Sequence, residues 1–252
     1  MRGITDTVKH LLIINVIMFI GTMAIGNGEL FYGLFAMYFP MNDLFQPWQI
    51  ITHMFMHGNI QHILFNMLAL WMFGTAVEQV LGKKKFIFFY ISAGLGAVAL
   101  QVGYYYFKFY SGLELLTEAG FEQSQIMEVL SSSYNRYDTR WSNVLSQSQL
   151  ESFVGIFNSS MVGASGAIMG VLVAFGMLFP ESKLMLIFLP IPIKAKYFIP
   201  GIIALDLFSA LSGVSIFSPN NTAYIAHIGG ALTGFIIMYF WKKDQFDKYR
   251  WN

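Results

Sequence analysis

One serine, two histidines and an asparagine are the residues of this chain best placed to do chemistry. Ser165 lies in Val162-Gly163-Ala164-Ser165-Gly166-Ala167-Ile168-Met169-Gly170, with glycine two residues before it and directly after it, and the run that follows carries no charge until Glu181. Flanking glycines let a second backbone or a substrate approach the hydroxyl closely. A serine in the first turn of a helix also has unpaired backbone N–H groups beside it, ready for a developing oxyanion. The plain alternative is that Gly166 and Gly170 are a close-packing surface and the serine bonds only to its own helix. His227 sits in Ala226-His227-Ile228-Gly229-Gly230-Ala231-Leu232-Thr233-Gly234, where small residues at 226, 230 and 234 make one smooth helical face. A neutral imidazole within reach of Ser165 would be a general base, and burial keeps it neutral. His62 and Asn66 are four apart on one helical face, and both donate hydrogen bonds from their side chains. With the Ser165 backbone N–H they would form an oxyanion hole.

The elements that must position these groups are membrane helices. The 252 residues are 56% hydrophobic and only 12% charged, with a mean hydropathy of +0.55, too little polar surface to clothe a soluble globule. A net charge of +1 argues against a nucleic-acid partner, and zero cysteines remove disulfides and thiolate chemistry together. A helix needs roughly 20 apolar residues to cross a bilayer. Six stretches qualify or nearly do: about 11–26, 60–80, 86–107, 165–179, 197–211 and 223–241. The fourth and fifth are short, as expected of helices that begin below the surface inside a bundle. The first could pass for a signal peptide, but it is better read as an uncleaved span, since many spans follow and the cleavage chemistry after Ala24 is poor.

Six spans with the N-terminus inside place Arg2, Lys9, Lys83, Lys84, Lys85, Lys183, Lys194, Lys196, Lys242, Lys243, Lys248 and Arg250 on the cytoplasmic side. Only Lys108, Arg136 and Arg140 of the 15 basic residues then lie outside. Both termini are cytoplasmic in that arrangement, and the size and minimal build fit a bacterial inner membrane. Spans two, four and six all enter from the outer side, and His62, Ser165 and His227 each fall within the first turn or two, so they share roughly one level. Residues 27–57 form an aromatic-rich interfacial connection broken by Pro40 and Pro47. Residues 108–160 are the one sizeable polar segment, too small for an independent core and read as short amphipathic helices on the outer surface, from Ile126, Val129, Leu130 and Trp141, Val144, Leu145. Pro190 and Pro192 bar a helix across 186–193. No repeat or boundary divides the chain, so 1–252 is a single membrane domain.

Other polar residues have plainer readings. His53, His57 and His62 are clustered at ligand spacing, but no Cys, Asp or Glu completes a metal set, and no cofactor is called for. His53 and His57 are expected to bond the start of span two, Glu78 to tie its inner end near Gly82, and Asp206 to be a lone acid on span five. A transporter or channel would spread polar residues through the membrane, whereas here they gather at one depth.

With these residues in hand, the chain resembles the rhomboid family of intramembrane serine proteases from about Leu11 to Trp241. Gly163-Ala164-Ser165-Gly166 is similar to the family's nucleophile motif, Ala226-His227 with Gly230 and Gly234 to its histidine helix, and His62-x-x-x-Asn66 to its oxyanion-stabilising pair. Gly74-Thr75-Ala76-Val77-Glu78 through Gly82 is also similar to the end of that helix. The resemblance implies a Ser165–His227 dyad without a third acid and a water-accessible cavity open to the outer face. It implies cleavage of single-span membrane proteins in or near their membrane segment, with substrates entering near span five and residues 212–222 as a lid. A non-catalytic relative that binds transmembrane clients is the main rival. Three departures stand out: Gln49 follows Trp48 where many members carry arginine, Met169 stands four residues after the serine where many carry an aromatic ring, and the 108–160 segment is long.

Overall fold

A computed structural model describes residues 3–186, 189–214 and 223–248. Five of its helices are long and apolar enough to cross a membrane: Asp6–Ala24, Ile60–Leu81, Lys83–Glu118, Ala195–Ser212 and Tyr224–Lys242. The chain is an all-α integral membrane protein.

Helix α1 (Asp6–Ala24) shows the inside-out pattern that lipid imposes. It buries Thr7, Val8, Asn15 and Thr22 and exposes Ile13, Ile14, Ile17 and Ile20. The Asn15 amide nitrogen and the Thr22 hydroxyl donate to the Leu11 and Met18 carbonyls of their own helix at 2.7 and 2.8 Å. Its start is held from another element: the Glu78 carboxylate accepts from the Thr5 hydroxyl at 2.5 Å and from the Val8 N–H at 3.1 Å. Glu78 therefore ties the inner end of span two, near Gly82, to the first turn of α1, and a carboxylate at a helix N-terminus is where the helix dipole favours it.

After a left-handed turn at Gly26, Asn27 and Gly28, the first connection contains α2 (Glu29–Phe35), strand β1 (Met37–Tyr38) and a short α3 (Gln49–Thr52). Gln49 is fully buried and holds this connection together. Its amide donates to the Gly33 and Leu44 carbonyls at 3.0 Å each, and its oxygen accepts from the Gln46 N–H, also at 3.0 Å. The glutamine that stands in place of an arginine thus anchors the loop with neutral hydrogen bonds. The second span is α4 (Ile60–Ala69), a π-helical turn at Leu70–Gly74, and α5 (Thr75–Leu81), ending at Gly82 in the left-handed region.

Helix α6 (Lys83–Glu118) has 36 residues, about 54 Å of helix against a hydrocarbon core of about 30 Å. Its first two-thirds pack on the bundle. Its remainder, with Phe109, Leu113 and Leu116, joins α7 (Gln123–Ser132), a 3-10 turn at Thr139–Asn143 and α8 (Gln147–Phe157) around a second cluster with Trp141, Phe153 and Phe157. Phe109 stacks on Phe153 with centroids 4.6 Å apart. The expectation of separate surface helices across 108–160 is corrected here: the segment has a core of its own, completed by Phe39 from the first connection. Residues 139–145 are a tight turn, not a helix of the expected spacing.

Strand β2 (Ser160–Met161) then pairs antiparallel with β1, Met37 opposite Met161 and Tyr38 opposite Ser160. It leads into α9 (Ser165–Leu178), whose residues 166–174 are all buried. At 14 residues α9 is about 21 Å long, a helix walled in on all sides by its neighbours. Strands β3 (Lys183–Leu186) and β4 (Leu189–Lys194) form a hairpin where the prolines were read as barring a helix. It is flanked by ion pairs from Glu181 to Lys194 and Lys196 at 2.6 and 2.5 Å. Helix α10 (Ala195–Ser212) has 18 residues, longer than the short fifth span expected, and α11 (Tyr224–Lys248) completes the bundle.

Candidate active site

Ser165 is the first residue of α9, and the strand before it fixes its approach. The Gly163 N–H donates to the His53 carbonyl at 2.9 Å, which with the β1–β2 pairing pins the chain just ahead of the serine. Gly163 has φ 125°, a conformation L side chains rarely adopt, and a Cβ there would lie 2.7 Å from His62 Nε2 and 3.7 Å from Ser165 Oγ. The glycine is required twice over, by its backbone and by the two functional groups that flank it.

His227 is the fourth residue of α11. Its Nε2 lies 2.9 Å from Ser165 Oγ, so the serine and the histidine singled out from sequence do meet. Its Nδ1 lies 2.8 Å from Asp206 Oδ2 on α10. Asp206 was expected to stand alone, and that expectation is corrected. The two side chains are only 12% and 10% exposed, and an unpartnered carboxylate in such a place would be costly, which is why it is found against a ring N–H. The preceding turn of α11 is tied to α6, where Gln101 Oε1 accepts the Ala226 N–H at 3.1 Å.

His62 and Asn66 lie on α4, which packs against α9. The Asn59 side chain caps α4 by accepting the His62 N–H at 2.8 Å. The Gly58 N–H donates to His62 Nδ1 at 3.4 Å, which leaves Nε2 as the protonated nitrogen directed at Gly163. Asn66 is buried, and its amide nitrogen has no partner among the described residues. Two side-chain donors thus lie on one helix, four residues and about 6 Å apart.

His53 and His57 do not bond the start of α4, as expected from sequence. His53 Nδ1 donates to the Gln49 carbonyl at 2.9 Å, and burial pushes its pKa down to about 4. His57 lies edge-on to the His62 ring, centroids 4.9 Å apart, and burial, followed by the His62 charge, pushes it down to about 3. Both rings are neutral at neutral pH. The expected lid falls largely outside the described residues, which resume at residue 223 after Val214.

Sequence reasoning marked Gln49 only as a departure, without its hydrogen bonds, and missed Gln101 and the partnership of Asp206. Gln101 carried a usable signal as an amide inside a span, and Asp206 lies six residues from the end of α10, about 9 Å deep, near the level of His227.

Residues 44–243 match the Rhomboid domain family. The chain belongs to the rhomboid family. This rhomboid chain is 26% identical over 199 residues to rhomboid protease AarA of Providencia stuartii, covering 75% of the present chain and 54% of the relative. It is 28% identical over 181 residues to the mitochondrial presenilin-associated rhomboid-like protein of Rattus norvegicus, covering 71% and 34% of the two chains. A stretch of 43 residues is 51% identical to rhomboid protease GlpG of Salmonella newport, 17% of this chain and 16% of the relative. The rhomboid chain therefore spans about half or less of the length of these relatives.

Proposed function

We propose that this rhomboid is a serine endopeptidase that works inside the membrane, cleaving single-span proteins in or near their transmembrane segment with Ser165 as nucleophile and His227 as base. The observation that carries the reading is the 2.9 Å contact between Ser165 Oγ and His227 Nε2 on two separate helices. As Oγ attacks the scissile carbonyl carbon, its proton passes to Nε2, and the carbonyl becomes a tetrahedral oxyanion. The Ser165 backbone N–H, unpaired at the start of α9, and the side-chain donors of His62 and Asn66 stabilise that charge. The proton on Nε2 then goes to the leaving amine, and water, activated by the same imidazole, hydrolyses the acyl ester. No metal or cofactor enters any step.

The same proposal takes α9 as a sixth span enclosed by the other five, within a single membrane domain. Both termini are cytoplasmic and the 108–160 segment is external, an orientation supported by the lysine and arginine bias. The site then opens toward the outer face of the membrane, and its partners are the bilayer and transmembrane substrates.

The test is cleavage of a labelled single-span peptide by purified protein in lipid vesicles. Ser165→Ala and His227→Ala are each expected to lower turnover by about a thousandfold or more while leaving the thermal midpoint close to that of the unaltered protein. Cleavage that persists in Ser165→Ala removes the mechanism.

A further inference from the structure

The contact between Asp206 and His227 has no part in the two-residue mechanism. Resting on the protease reading of Ser165 and His227, we propose that Asp206 is the acid that positions the His227 imidazole, so that this chain works with a serine, histidine and aspartate on three different helices. A carboxylate only accepts hydrogen bonds, so the 2.8 Å contact requires Nδ1 to carry the ring proton. The lone pair of Nε2 is then turned to the Ser165 hydroxyl 2.9 Å away, which is the tautomer a base needs. When Nε2 takes the serine proton, the imidazolium forms beside a fixed negative charge in a site nearly closed to water, where such stabilisation is strongest.

The other groups that face His227 are few. Helix α9 presents the Ser165 hydroxyl, α4 presents His62, close enough for the two rings to interact through charge, and α6 presents the neutral Gln101 one residue away. Among the described residues Asp206 is the one charged side chain paired with His227.

The experiment measures kcat and KM for a single-span peptide from about pH 5 to 9 with the full chain, its Asp206→Asn and Asp206→Glu variants, and Ser165→Ala as control. Asp206→Asn is expected to lower kcat by about 10- to 100-fold with KM within about threefold, since the residue acts only as charge develops. Asp206→Glu recovers much of the rate. An Asn variant with unaltered kcat, or one whose KM rises while kcat holds, overturns the proposal, the latter leaving a mere tie between α10 and α11. Nitrogen-15 spectra of histidine-labelled protein give a readout that needs no Asp206 variant to fold, with the His227 signal assigned by its absence from His227→Gln. A ring protonated on Nδ1 supports the assignment, and a neutral ring protonated on Nε2 contradicts it. If Ser165→Ala cleaves normally, the protease reading itself fails; if it is inactive while Asp206→Asn is unaffected, only the role of the aspartate falls.

Discussion

His53 supports the site without touching it. Its ring donates to the Gln49 carbonyl while its own carbonyl receives the Gly163 N–H, so one buried residue links the anchored first connection to the nucleophile strand. That position gives stability a pH dependence of definite sign. The folded ring resists protonation until about pH 4, whereas the unfolded chain takes up the proton near the ordinary value of 6.5. Between those limits the unfolded state binds more protons, so stability falls as pH is lowered through the window and levels off below it. Thermal unfolding in detergent is expected to show that decline, and His53→Gln to remove about 1–3 kcal/mol of it. An unaltered slope in the variant would mean that other groups carry the effect. At this scale the sequence was informative about types and poor about partners. Ser165, His227, His62 and Asn66 were legible because polar groups in apolar spans need a reason to be there. That Asp206 faces His227 depends on the relative rotation of two helices, which no local pattern encodes.

At the scale of elements, the site exists because α9 and α11 touch backbone to backbone. A Cβ at Gly230 would land on the Gly166 carbonyl, and one at Gly234 would lie 2.7 Å from the Gly170 Cα. On the other side of α9, Cβ atoms at Gly166 and Gly170 would each lie 2.5 Å from Ala97 and Ala93 of α6. The two readings of the small-residue pattern, packing surface and chemistry, are therefore both needed, since the close approach is what brings an imidazole on one helix to a hydroxyl on the other. Gly230→Ala must push α11 away from α9 and is expected to cost about 1–3 kcal/mol. Turnover should fall with the lengthened Ser165–His227 contact. A variant with unchanged thermal midpoint and turnover would show that the helices can part without consequence. The helix pairing was readable in the residues at 166, 170, 230 and 234. The β1–β2 pairing was not, because two-residue strands leave no periodic trace, and neither was the β3–β4 hairpin, whose prolines signalled only that a helix must stop.

The molecule as a whole has two cores. One surrounds α9 in the membrane bundle, and the other gathers the outer part of α6 with α7 and α8 around Trp141 and Phe153. Their junction is Phe39 and the strand β1, which pairs with the segment leading to Ser165, so the second core is continuous with the wall of the site. Its existence was hidden in the sequence because it borrows Phe39 from more than a hundred residues upstream of Phe153, and a segment judged alone looks too small to fold. Five of the membrane helices, by contrast, were legible, since apolar length reports directly on the bilayer. What both cores hold in place is a serine hydroxyl 2.9 Å from a neighbouring imidazole. The most direct test is treatment of the folded protein with a fluorophosphonate, followed by mass analysis of the peptide containing residue 165. The account predicts one adduct, on Ser165, that forms at least about a hundredfold more slowly in His227→Ala. Labelling of Ser165 at an undiminished rate without His227, or no adduct there at all in the unaltered protein, would contradict it.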